Sequence, residues 1–146
     1  MERSSLPRYA ASRVLPATVD EVWTILAAAE RFADWWPGIE RIESTVRRAV
    51  APGALWQVEG SSRASLLRRG PQLSGTLLVL DAVPRRRLAF QLSEARIEAE
   101  LELETTDDDQ AAATLGVEAP RFSGVGRAFP SLALARLAAL VRPPTE

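Results

Sequence analysis

Two hydrophobic periods run along this chain. Between residues 96 and 104, Ile97, Ala99, Leu101 and Leu103 alternate with Arg96, Glu98, Glu100, Glu102 and Glu104, the two-residue repeat of a strand with one packed face and one wet face. From Arg121 onward the repeat lengthens. Phe122, Val125, Phe129 and Leu132 recur at steps of three and four, which lines one side of an α-helix. Other segments follow one period or the other. Arg8–Leu15 alternates loosely up to Pro16 and predicts a first strand at an edge. Val19, Val22, Trp23 and Leu26 make the apolar side of a helix over Val19–Ala29, opened by Thr18 with Glu21 three residues later, the spacing of a capping box. A short second helix, Glu30–Trp35, stops at Pro37-Gly38.

Six more strands follow on the same grounds: Ile39–Arg48, Ala54–Gly60, Leu73–Val83, Arg86–Leu92, the strict alternation ending at Glu104, and Ala111–Val117. Their turns are marked by Ala51-Pro52-Gly53, Pro84, Ser93-Glu94 and the three aspartates within Thr106–Gln110. Ser61–Gln72 reads as a strand end plus a loop, and Gly75 inside the fourth strand as a bulge or bend that helps a sheet curl. The final helix is expected over Gly124–Arg142, capped by Ser123 and ended by Pro143 and Pro144. At 1.5 Å per residue it would be roughly 28 Å long. After Pro130 its apolar stripe of Leu134, Leu137, Leu140 and Val141 is rotated by about a quarter turn. The expectation is one helix kinked at Pro130; the alternative is a helix that begins there.

The 146 residues suit a single domain, 1–146, with 47% hydrophobic and 25% charged residues and a net charge of -1. That balance gives nucleic acid nothing to bind in bulk. The basic residues are all arginine, and cysteine, histidine and lysine are absent. Disulfides, thiol nucleophiles, Schiff bases and the commonest metal ligand and general base are therefore ruled out. No catalytic set, metal site or cofactor is expected. No run of apolar residues is long enough for a membrane span or a signal-peptide core, which makes a cytoplasmic location the default.

The order strand, two helices, six strands, long helix is that of an α+β helix-grip fold, in which a curved antiparallel seven-stranded sheet wraps around the C-terminal helix. Ala17-Thr18-Val19-Asp20-Glu21-Val22-Trp23, then Phe32-Ala33-Asp34-Trp35-Trp36-Pro37-Gly38-Ile39, and Asp81-Ala82-Val83-Pro84-Arg85-Arg86-Arg87-Leu88 together resemble the SRPBCC or START-like superfamily, particularly its polyketide cyclase/dehydrase and lipid-transport branch. The resemblance implies an apolar cavity between the sheet and the last helix, entered near the second short helix. It implies a small hydrophobic partner, a lipid or polyketide-like molecule, bound by a monomer or homodimer. The oxygenase branches that hold a metal need histidine, and this chain has none.

On that basis the candidate ligand-binding residues are Phe32, Trp35, Trp36, Trp56, Phe90, Phe122, Phe129 and Arg136. Aromatic rings line small-molecule sites and ordinary cores alike. Trp35 and Trp36 are adjacent, so one is expected to pack inward and the other to rim the cavity. An inward Arg136 would fix a carboxylate; outward, it would reach solvent. Small inward residues on the seventh strand are expected to leave room beneath the helix. Three functions remain open: carriage of a hydrophobic molecule, cyclisation or dehydration of one with Asp34 as an acid near the mouth, and protein binding through the outer face of the sheet. The glutamates at 98, 100, 102 and 104 are assigned to that outer face, paired with arginines such as Arg86.

Overall fold

Strict alternation of apolar and polar residues makes strands that are buried on one side, and the chain joins them into one antiparallel sheet. The computed structural model describes residues 7–28, 31–37, 39–43, 53–60, 75–93, 96–120 and 125–141, without the side chains of 40, 41, 43, 59 and 60. Its elements are β1 (Arg8–Leu15), α1 (Val19–Leu26), α2 (Phe32–Trp35), β2 (Ile39–Glu43), β3 (Leu55–Gly60), β4 (Gly75–Val83), β5 (Arg87–Leu92), β6 (Ile97–Thr105), β7 (Ala111–Glu118) and α3 (Phe129–Val141). The architecture is α+β. Strands β2 to β7 form a meander in chain order, and β1 is added antiparallel to β7, giving the order β1-β7-β6-β5-β4-β3-β2.

Parity decides the inner face. Leu15 on β1, Trp56 and Val58 on β3, Leu77 and Val79 on β4, Leu88 and Phe90 on β5, the 97–103 row on β6 and Ala113, Leu115 and Val117 on β7 are all buried. On β4 the register shifts between Val79 and Asp81, so Val79 faces Phe90 while Asp81 faces Ala89. This bulge falls at Leu80, five residues beyond Gly75. Its extra residue reverses the parity of the strand: Asp81 turns to the outer face, and Ala82 packs against the core instead. Glycine at 75, with φ of 135°, opens the strand in a conformation other residues avoid.

The capping box at the start of α1 is complete: the Glu21 N–H donates to Thr18 Oγ1 at 3.2 Å and the Thr18 N–H to Glu21 Oε1 at 2.9 Å. The helix buries Val22 and Leu26 and ends at Leu26, earlier than the periodicity alone implies. The hairpin between β5 and β6 is longer than Ser93-Glu94. Leu92 pairs with Ile97, and the Arg96 N–H returns to the Ser93 carbonyl at 3.1 Å.

The last helix is a correction. It begins at Phe129, so Pro130 lies in its first turn, where the missing N–H has no helical acceptor to lose, and Val125–Ala128 precede it as irregular chain and turn. No kink is needed. Its buried stripe is Phe129, Pro130, Ala133, Leu134, Leu137 and Ala138, whereas Leu132 is 48% exposed. Leu134 and Leu137 set the inward side, and Leu132 falls outside it. Thirteen residues make α3 roughly 20 Å long. It lies chiefly against β1, with further contacts to β7, α1 and α2. Ser123, Phe122, the stretch from 44 to 48 and the Ser61–Gln72 loop lie outside the described residues. No helix among the described residues is long and apolar enough to cross a membrane.

Candidate functional site

The pair Trp35-Trp36 sits where helix gives way to strand, and a proline decides how. A residue before proline is pushed out of the helical region. Trp36 accordingly takes φ of −91° and ψ of 114°, while its N–H still closes the helix on the Phe32 carbonyl at 2.8 Å. The helical spacing that would set adjacent side chains apart therefore ends at Trp35. Both indoles are 0% exposed. The expectation that one would rim an opening does not hold, and the signal that corrects it, Pro37, stands in the sequence.

Three elements deliver five rings to one place. Phe32, Trp35 and Trp36 come from α2 and its cap, Phe90 from the middle of β5, and Phe129 from the first residue of α3. Trp36 meets Phe90 and Phe129 edge-on, each at 5.0 Å between centroids, and Trp35 at 5.6 Å. Phe32 stands edge-on to Phe90 at 5.0 Å and tilted against Trp35 at 5.3 Å. Such pairs contribute about 0.5–1.5 kcal/mol each beyond the area they bury. Phe90 is flanked across the sheet by Val79 and Ala99. Ala99 is the small member of the alternating β6 row, and its place beside the rings was legible only as a break in a run of larger side chains.

The cluster has one chemical irregularity. Trp35 Nε1 and Trp36 Nε1 are buried, and neither has an acceptor among the described residues. An indole N–H only donates, and leaving such a donor unmet in a dry interior costs about 1–3 kcal/mol. Two together, on neighbouring residues, are the buried side-chain polar atoms left without a hydrogen-bond partner among the described residues.

Other candidates fall elsewhere. Trp56 is buried on β3 beside Leu77, with β4 between it and β5. Phe122 lies outside the described residues. Arg136 is exposed on α3, away from the stripe of Ala133 and Leu137, so it faces solvent and not the rings. Asp34 is exposed and ion-paired with Arg31 at 2.9 Å. The alanines expected to leave room, Ala111 and Ala113, are buried on β7 near the sheet edge that α3 covers; their small size lets a helix with Ala133 and Ala138 on its inward side approach closely.

The outer face carries the charges. Arg87 donates through Nε to Glu100 Oε2 at 2.7 Å and through a terminal nitrogen to Asp81 Oδ2. The hydrogen bond from Arg87 holds the Glu100 carboxyl below the usual glutamate range, and Glu100 in turn raises Arg87. The partner is thus Arg87, not Arg86. Arg8 ion-pairs with Glu118 at 3.7 Å. It lies over Gly116, where a Cβ would meet its guanidinium at 2.2 Å. A groove of about 390 Å³ opens at the end of β4, β5 and β6 between Val83, Arg86, Arg87, Glu102, Leu103 and Glu104. It is walled mainly by charged side chains and is remote from the rings in the sheet pattern.

No family model matches the chain, and no curated protein matches it. Solved structures do. A protein of Thermus thermophilus aligns with a TM-score of 0.68 at 14% identity, over 92% of this chain and 97% of its own. A protein of Nitrosomonas europaea aligns at 0.66 and 16% identity, over 92% and 93%. DynU16, from the dynemicin biosynthetic locus, aligns at 0.56 and 20% identity, over 92% of this chain and 46% of its own. At these identities the likeness is one of fold: an antiparallel sheet with a C-terminal helix packed against it.

Proposed function

We propose that this protein binds a small, largely apolar molecule between the inner face of its sheet and α3, against Phe32, Trp35, Trp36, Phe90 and Phe129. The observation that carries the reading is the pair of buried indole N–H groups without acceptors among the described residues, since buried donors in folded proteins are nearly always met. Apolar walls with a few polar groups are the ordinary make-up of a small-molecule site. The resemblance of residues 17–23 and 32–39 to START-like proteins supports the same reading, as does a structural neighbour from a biosynthetic locus. Binding is favoured over acid–base turnover because no polar or charged residue among those described is buried, and Asp34 faces solvent with Arg31. The outer face, where Arg87 is paired with Glu100 and Asp81 and Arg8 with Glu118, is a weaker candidate for the working surface.

Native mass spectrometry of protein purified from its own host tests this. The expected result is an adduct of small-molecule mass that is released on denaturation and lost in Phe90→Ala. A bare chain, together with no change in tryptophan fluorescence across a panel of apolar compounds, overturns the proposal.

A further inference from the structure

We infer that Trp35 and Trp36 act as a paired donor that selects uncharged ligands bearing a hydrogen-bond acceptor, such as a carbonyl or ether oxygen, over hydrocarbons and over carboxylates. The inference rests on the binding reading above and adds the chemistry of what is bound. Both indoles are fully buried, stand edge-on to each other, and lack acceptors among the described residues. What such a place lacks is an acceptor, and a carbonyl oxygen with two lone pairs can take one N–H or both.

The same interior disfavours a carboxylate. The chain has no lysine, and every arginine whose side chain is described is partly or fully exposed, Arg136 on α3 included. A carboxylate brought among these rings would be a buried charge without a partner, which proteins neutralise or exclude. Hydroxyl-only ligands satisfy the donors less well than carbonyls, because their own proton then needs an acceptor in turn, and no polar or charged residue among those described is buried to supply a side-chain one. Shape selects little here, since edge-to-face rings accept many flat or chain-like molecules. The polar pair therefore sets the preference.

Matched probes separate shape from acceptor. 9-Fluorenone and fluorene are tricyclic compounds of the same outline that differ at one position, C=O against CH₂, and dodecanoate supplies an apolar chain with a carboxylate. Titrated into the full chain at neutral pH, fluorenone is expected to bind between about three- and tenfold more tightly than fluorene, the range set by one net hydrogen bond, with dodecanoate weakest. In ¹⁵N–¹H spectra fluorenone should move downfield two of the four indole resonances, those assigned to Trp35 and Trp36 by loss in Trp35→Phe and Trp36→Phe. Each variant should bring fluorenone affinity toward that for fluorene. The probe comparison is made on the unaltered protein, so it stands even if a variant folds poorly. Equal affinity for fluorenone and fluorene overturns the donor pair while leaving the binding reading intact, and so does tighter binding of dodecanoate. Indole resonances that sit upfield and ignore fluorenone would place both N–H groups on neighbouring ring faces and likewise overturn it. Failure of both tricycles to bind overturns this inference and counts against the binding reading, which native mass spectrometry then tests separately.

Discussion

The two faces of β5 treat polar groups in opposite ways. On the outer face Arg87 bridges Glu100 and Asp81, and beneath that bridge Ala89, register partner of both acids, is only 6% exposed. On the inner face Phe90 meets Trp35 and Trp36, whose N–H groups find no acceptor among the described residues. The charges of the Arg87 bridge have partners and gain little from them, because water screens half-exposed ion pairs. The inner face lacks two partners in a place where the lack is costly. The unequal stakes point inward for function: an unmet donor in a dry interior is a demand, whereas a paired charge in water is not.

The comparison can be broken by substitutions on either face. Phe90→Ala removes the ring that touches Phe32, Trp35 and Trp36 and is expected to cost about 3–5 kcal/mol, read by urea unfolding. A loss below about 1 kcal/mol would mean that the interior is already loose there. Trp36→Phe keeps a ring and removes a donor. The relieved desolvation of about 1–3 kcal/mol offsets much of the lost volume, so the net change in the free protein should stay within about 1 kcal/mol in the same assay. A loss of about 3 kcal/mol would show that the N–H already has a partner.

On the outer face, Glu100→Gln is expected to cost less than about 1 kcal/mol at neutral pH. Its effect should depend on pH with a definite sign. The Glu100 carboxyl is held below the usual glutamate range by Arg87, so its contribution is complete above the ordinary value of 4.5. It is lost as pH falls from there through the lower folded value. Thermal melts at descending pH should therefore bring the variant and the parent together; a gap that widens on acidification would reverse the assignment. Gly116→Ala should have the smallest effect, a few tenths of a kcal/mol, because the new methyl displaces the end of a flexible arginine, Arg8, from above the strand. Its sharper readout is the loss of the Arg8–Glu118 ion pair from a double-mutant cycle.

Local rules carried far in this chain. Alternation placed Leu88, Phe90 and Leu92 on one side of β5 and the 97–103 row on one side of β6, because a strand's side chains alternate whatever the rest of the molecule does. The Thr18–Glu21 box closed as its spacing implied, since a cap needs nothing beyond its own turn. The rings at 32, 35, 36, 90 and 129 were each identifiable as aromatic residues on an element with a covered side.

Tertiary structure decided the rest. Whether Pro130 kinks or starts a helix depends on what Val125 and Phe129 pack against, and both choices satisfy the proline itself. The bulge at Leu80 is fixed by pairing with β5, which no single-strand pattern contains. Leu132 was assigned by a stripe that ran through a helix start, and the helix turned it outward once Leu134 and Leu137 took the inward side; of the two orientations open to Arg136, the outward one holds. That two adjacent indoles are buried together, with no acceptor among the described residues, follows from the approach of α2, β5 and α3. The sequence determines that these donors exist; the packing of distant elements determines whether anything in the chain can accept from them.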